Sequence, residues 1–169
     1  MRLYGGKVGP IATDVVRALI ANKDIETESA KDVEADVRSI LDQYLADERE
    51  VNERARDVID RTGKPPSELF RVRQLVADEK GIKLGDDSLD YLLDQVVEIF
   101  QHSHHVEEIW VEDIELRRRM APIFKKYMAA DDDLESDVRA QLRHVREGTP
   151  EWDIEYARAR DLVKRKRGL

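Results

Sequence analysis

Apolar residues recur at helical spacing along most of the chain. The first run follows Gly9-Pro10, a suitable helix start because proline is preorganised for the first turn, and it predicts a helix over roughly residues 10 to 22. Ser29 and Asp32 then resemble a capping box in front of a longer apolar stripe. The stripe consists of Val33, Val37, Ile40, Leu41, Tyr44 and Leu45. This pattern predicts a second helix that runs to about Asp47.

The helical spacing continues beyond that point. Val51, Ala55, Val58 and Ile59 keep the period, so the second and third helices can form a single bent rod. The rod should end at the segment 63–66, where one glycine and two prolines cannot continue a helix. A fourth helix is predicted from the apolar residues Leu69, Phe70, Val72, Leu75 and Val76.

The same order of elements begins again after residue 85. Val15-Val16 corresponds to Val96-Val97 at an offset of 81 residues, and the six residues of the long stripe have counterparts at an offset of 83. The counterparts are Leu116, Met120, Ile123, Phe124, Tyr127 and Met128. This self-similarity predicts two divergent copies of one helical unit, over residues 1–84 and 85–169. The alternative is that any two amphipathic helices resemble each other, because apolar positions at 3.6-residue spacing coincide easily.

One copy alone would leave its apolar stripes in water, so we expect both copies to pack together. The predicted fold is all-α, one compact bundle of about six to eight helices. A hydrophobic content of 41% is enough to build its core, and 39% charged residues would cover the polar helix faces.

Charge and cysteine content narrow the function classes. A formal net charge of -8 argues against a protein whose whole surface binds nucleic acid, although it is compatible with a local basic patch. The absence of cysteine excludes disulfides, thiolate zinc sites and a cysteine nucleophile. No stretch approaches the roughly 20 apolar residues of a membrane span. We therefore expect a soluble, unprocessed, cytoplasmic protein that does not bind membranes.

One cluster contains residue types that bind metals. His102, His104 and His105 are followed by Glu107 and Glu108, and imidazole and carboxylate groups suit zinc and similar cations. The histidines lack the i, i+4 spacing that would put two of them on one helix face. A position at a helix end, where the dipole stabilises a protonated imidazole, explains them without a metal. We predict no metal and no cofactor.

Two further motifs invite a chemical interpretation. The run Asp131-Asp132-Asp133 lacks the spacing and the glycine of a calcium loop, and it suits a helix N-terminus instead. Gly5-Gly6-Lys7 lacks the spacer and the hydroxyl residue of a phosphate loop. No combination of serine, histidine and acid stands out, so we predict that the protein is not an enzyme.

The carboxyl-terminal region is strongly basic. Six cations lie within ten residues: Arg158, Arg160, Lys164, Arg165, Lys166 and Arg167. Such a helix end can bind phosphates, an acidic partner or anionic lipid, but cations in a last turn also complement the helix dipole without any ligand. The first copy carries Asp78 and Glu79 near the equivalent place.

Large apolar residues are concentrated in one predicted interhelical loop. Val106, Ile109, Trp110 and Val111 lie there, and their exposure would be costly unless something covers them. Burial in the core of the bundle is the simpler explanation. Cover by another protein or subunit is the alternative, because aromatic residues dominate binding hot spots. Trp110, Val106 and Ile109 are therefore interaction candidates.

Several stretches also carry a family resemblance. They are Met1-Arg2-Leu3-Tyr4 with Lys7-Val8, the segment of the first helix, Phe70-Arg71-Val72-Arg73, Gly85-Asp86-Asp87 and, above all, the stretch from Val106 to Asp113. Over roughly residues 1 to 130 they resemble a bacterial family, domain of unknown function 507. The resemblance implies a bacterial cytoplasmic protein and brings no activity, cofactor or catalytic residue with it.

These observations lead to two functional hypotheses. The first is a non-enzymatic helical module that binds another protein, and it is compatible with an oligomer. The alternative is a nucleic-acid-binding protein that uses its basic C-terminal helix.

Overall fold

The computed structural model describes the backbone of residues 1–169 and all side chains except those of residues 130–132. Its helices are α1 (Val8–Ala21), α2 (Ala30–Thr62), α3 (Leu69–Lys80), α4 (Ser88–His102), α5 (Asp113–Met128), α6 (Ala130–Gln141) and α7 (Pro150–Arg167). Two short strands, β1 (Ile25–Glu26) and β2 (Glu108–Ile109), form an antiparallel pair. The chain is mostly helical, as the sequence predicts.

Local signals define the first two helices. α1 begins at Val8, two residues before the predicted start, because Pro10 then lies in the first turn, where the missing N–H has no intrahelical acceptor. At the start of α2 the N–H of Asp32 donates to Oγ of Ser29 at 3.4 Å, which confirms the predicted cap. α2 continues unbroken to Thr62, so the second and third predicted helices are one, and the left-handed Gly63 (φ 66°) ends it.

Two of the apolar residues from which α3 was predicted lie in solvent. Phe70 is 70% exposed and Leu75 is 55% exposed. α3 packs against α2 along a narrow stripe formed by Val72, Val76 and Ala77, and Phe70 and Leu75 are not part of that stripe. The helical spacing was right, but the stripe that faces a neighbour is narrower than the set of apolar residues.

The strands correct the prediction of an interhelical loop after α4. β1 pairs with β2 in the register Ile25 with Ile109 and Glu26 with Glu108. Each strand has only two residues, too few for an alternating pattern to show in the sequence. The pairing holds the connection after α1 against the connection after α4.

Among the side chains that the structure describes, three apolar clusters form the core. The largest joins α1, the first half of α2, α4 and α5, and therefore contains residues of both halves of the chain. A second lies between the last half of α2 and α3, and a third lies between α6, α7 and Tyr4. In the part of the chain that the structure describes, no helix is long and apolar enough to cross a bilayer.

Candidate functional site

Trp110 follows β2 directly and is 64% exposed. Its N–H donates to the carbonyl of Asp24 at 2.8 Å, so the backbone beneath the indole is fixed by the pairing of the two strands. Burial in the core, the simpler explanation of this residue, is therefore wrong. An indole held in water on an ordered backbone is a natural anchor for a binding partner.

The two other residues predicted from this stretch have a structural role. Val106 and Ile109 are half-buried and pack against the central apolar cluster, and Ile109 is the register partner of the buried Ile25. They anchor the strand pair to the bundle. Of the three interaction candidates here, Trp110 presents its side chain to solvent.

A cleft of about 340 Å³ lies beside the indole. It is lined by Ile20, Lys23, Ile25, Glu26, Thr27 and Trp110. Lys23 has a positive φ of 60°, which is uncommon for a residue with a side chain and marks the tight turn after α1. The cleft combines apolar walls with a charged rim. We call these six residues the Trp110 face.

Carboxylates surround one side of the Trp110 face. Glu26 and Glu108 are direct register partners, an arrangement in which like charges repel. Burial, followed by the negative charges of Glu28, Glu26 and Glu108, raises the pKa of Glu107. The outward side of the strand pair therefore carries a concentration of negative charge beside an exposed aromatic ring.

Polar contacts also tie this region to the bundle. Asp24 is 1% exposed, and its carboxylate forms an ion pair with Nε of Arg119 on α5 at 2.8 Å. Oγ1 of Thr27 donates to the carbonyl of His105 at 2.5 Å, which links the two connections a second time. Neither partnership has a sequence signal, because the residues that pair are far apart in the chain.

The six predicted cations of α7 divide into two groups. Arg160, Lys164 and Arg167 lie against the protein: Arg160 is 3.6 Å from Glu135, Lys164 lies over the ring of Tyr4, and Arg167 pairs with Asp137. Arg158, Arg165 and Lys166 are exposed.

Of these exposed cations, Arg158 pairs with Glu155 on its own helix at 3.4 Å. Among the described side chains, Arg165 and Lys166 have no carboxylate partner.

A close backbone contact explains Gly6, the second glycine of the pair near the start of the chain. A Cβ placed on this residue would lie 1.5 Å from the carbonyl oxygen of Gly168, just after α7. The end of α7 therefore rests directly on the backbone of the N-terminal arm, by which we mean residues 1–7. Close backbone approach accounts for this glycine without a nucleotide.

The family model of DUF507, described as a protein of unknown function, matches residues 1–169. The chain belongs to this family. The match extends the resemblance from residues 1–130 through α6 and α7, so the basic helix lies within the part that the family model covers. No curated protein matches this DUF507 chain.

The histidine cluster of the DUF507 chain lies at a helix end. His102 is the last residue of α4, and His104 and His105 lie in the exposed turn that follows. Nδ1 of His105 is 3.8 Å from Asp32. Within the described side chains, no three histidine or acidic groups converge in a way that could hold a metal ion. In the run Asp131-Asp132-Asp133, the first two side chains lie outside the described residues.

Proposed function

We propose that this DUF507 chain is a non-enzymatic module that binds another protein through the Trp110 face. The observation that supports the proposal is the indole of Trp110, 64% exposed on a backbone fixed to Asp24. Interfaces combine an apolar centre with a polar rim, and their binding energy is concentrated in a few residues, among which tryptophan is enriched. The cleft supplies the apolar centre and the surrounding carboxylates supply the rim.

The two halves of the chain are, in this proposal, divergent copies of one unit. The order of elements supports this. The first half has α1, β1, α2 and α3, and the second half has α4 and β2, then α5 and α6 in the place of α2, and α7 in the place of α3. Burial also corresponds at an offset of 87: Val72 and Val76 are buried, as are Ala159 and Val163. Leu75 and its counterpart Leu162 are both exposed. Trp110 has no tryptophan counterpart in the first half, so a partner would contact one copy only.

The test is affinity purification of the tagged protein from native lysate in low salt, with and without nuclease. We expect a specific partner that survives nuclease and is lost with Trp110→Ala. Ile154→Ala is the matched control, because it removes another exposed apolar side chain from α7, outside the Trp110 face. Equal recovery with both variants, or catalytic turnover of a metabolite by the purified protein, would refute the proposal.

The second candidate function is nucleic-acid binding through the basic end of α7. The exposure of Arg165 and Lys166 favours it, because cations without carboxylate partners are available to phosphates. Removing residues 164–169 would also remove the contact between Gly168 and Gly6, so a charge reversal is the cleaner test. The double variant Arg165→Glu with Lys166→Glu should lose salt-sensitive binding to DNA and RNA. Unchanged binding would exclude this function.

A further inference from the structure

A cavity of about 200 Å³ lies where the N-terminal arm, the middle of α2 and the end of α7 meet. Arg2 lines it from the arm, Glu48 and Arg49 from α2, and Lys164 from α7. The ring of Tyr4 forms part of the same wall. We call this cavity the arm pocket. It is separate from the Trp110 face and shares no residue with it.

Among the side chains that line the arm pocket, positive charge exceeds negative charge. The acidic side chain, Glu48, is 6% exposed and pairs with Nη2 of Arg2 at 3.2 Å. This pair compensates the charge of Arg2 and leaves Arg49 and Lys164. Within the described side chains, neither of these two cations forms an ion pair. For a chain with a formal net charge of -8, such a local excess of cations is a departure from the average surface.

The cations are also crowded. The guanidinium of Arg2 and the ammonium of Lys164 each lie 5.5 Å from the centre of the Tyr4 ring. Burial, followed by the positive charges of Arg2 and Arg160, lowers the pKa of Lys164. The surroundings of Lys164 therefore disfavour its charged form, and a negative charge placed nearby would stabilise that form.

One donor in the arm pocket also lacks an acceptor. Nε of Arg2 is buried and donates to no described group. Buried donors are nearly always paired, because an unpaired one loses its hydrogen bonds to water without replacement. An anion in the cavity would supply an acceptor close to this guanidinium.

We propose that the arm pocket binds a small oxyanion of the phosphate class, either free or carried on a larger molecule. Guanidinium and ammonium groups are the side-chain groups that proteins most often use to hold phosphate oxygens, and both kinds line this cavity. A water molecule occupies roughly 30 Å³ of liquid, so the cavity has room for a phosphate group and some of its hydration water. The inference rests on cations, a cavity and an unpaired donor, and it is independent of the Trp110 face.

Isothermal titration calorimetry with inorganic phosphate at constant ionic strength tests the proposal. Arg49→Gln and Lys164→Gln should each weaken binding at least tenfold. Arg165→Gln, the neighbour of Lys164 that faces solvent, is the matched control and should bind like the unchanged chain. Arg49 is exposed on α2, so its variant keeps the test valid even if Lys164→Gln disturbs the end of α7.

Phosphate that binds no better than chloride at equal ionic strength would overturn the proposal. An equal loss of phosphate affinity in Arg165→Gln would overturn it as well, because phosphate would then be attracted by the basic helix as a whole and not by the arm pocket. A second titration with ribose 5-phosphate distinguishes the free ion from a phosphate carried on a larger molecule. If ribose 5-phosphate binds more tightly than inorganic phosphate and Arg49→Gln abolishes this binding, the ligand is a phosphate on a larger molecule. Equal binding of the two supports the free ion.

Discussion

Gly6 shows how much a single position can decide. Its lack of a side chain allows the carbonyl of Gly168 to approach the backbone of the N-terminal arm, and the obstacle to any larger residue is backbone rather than a flexible side chain. This contact holds the end of α7 against the arm, next to the arm pocket that Gly5 and Leu169 line.

Gly6→Ala should therefore destabilise the protein. The methyl group would overlap the Gly168 carbonyl, so the end of α7 must move, and we expect the free energy of unfolding in urea to fall by about 1–3 kcal/mol. Gly5→Ala is the control, because a Cβ there meets nothing within 4 Å. If the two variants unfold at the same urea concentration, the close contact does not exist in solution.

Glu107→Gln should stabilise the protein at neutral pH. The pKa of Glu107 is raised above its ordinary value of 4.5 in the folded chain by burial and by neighbouring carboxylates, so its ionised form opposes folding. Well below pH 4.5 the group is protonated in both the folded and the unfolded state, and the cost disappears.

The measurement is the melting temperature of Glu107→Gln at pH 7 and at pH 3.5. We expect a small rise over the unchanged chain at pH 7 and none at pH 3.5. Glu53→Gln removes the same charge from an exposed site on α2, away from the strand pair, and should give no such pH-dependent rise. A rise of equal size in both variants would point to net charge instead.

Elements differ in how far the sequence predicts them. The limits of α2 follow from signals within a few residues, the Ser29 cap and the glycine and prolines after residue 62. The strands give no such signal, because β1 gains its structure only from a partner far along the chain. Helical periodicity placed Phe70 and Leu75 on α3, but only the packing of α3 against α2 decides which apolar residues are covered.

The start of α7 provides a prediction for one element. Oγ1 of Thr149 accepts from the N–H of Trp152 at 3.2 Å, and Pro150 occupies the first turn. Thr149→Ala should lower the free energy of unfolding by about 1 kcal/mol through loss of this cap. Ser136→Ala, an exposed hydroxyl within α6, should not lower it. A stability unchanged by Thr149→Ala would mean that the first turn of α7 gains nothing from the cap.

At the scale of the whole molecule, each candidate site is formed by segments that are far apart in the sequence. The sequence identified Trp110 as an interaction candidate, but its exposure depends on how β2 packs against β1. The arm pocket had no sequence signal at all, since Arg2, Arg49 and Lys164 meet only in the folded chain. The basic C-terminal segment was recognised, whereas the structure was needed to separate the cations that lie against the protein from those that are exposed.

The three apolar clusters also predict unequal local stability. The central cluster buries residues from both halves, while the third, between α6 and α7, is much smaller. Native-state hydrogen exchange should therefore show amides of α1 and α4 opening only with global unfolding, and amides of α7 opening at a lower free energy. Identical opening free energies for α1 and α7 would mean that the molecule unfolds as one unit.

The seating of α7 on the N-terminal arm bears on the order of events during synthesis. Nη2 of Arg160 meets Oη of Tyr4, a contact that spans 156 residues of sequence. At a translation rate of about 5–20 residues per second, Tyr4 waits roughly 8–30 s for its partner to be made. During that interval the part of the Tyr4 ring that α7 later covers faces solvent. A nascent chain is thus one form of this protein in which a chaperone could hold the arm.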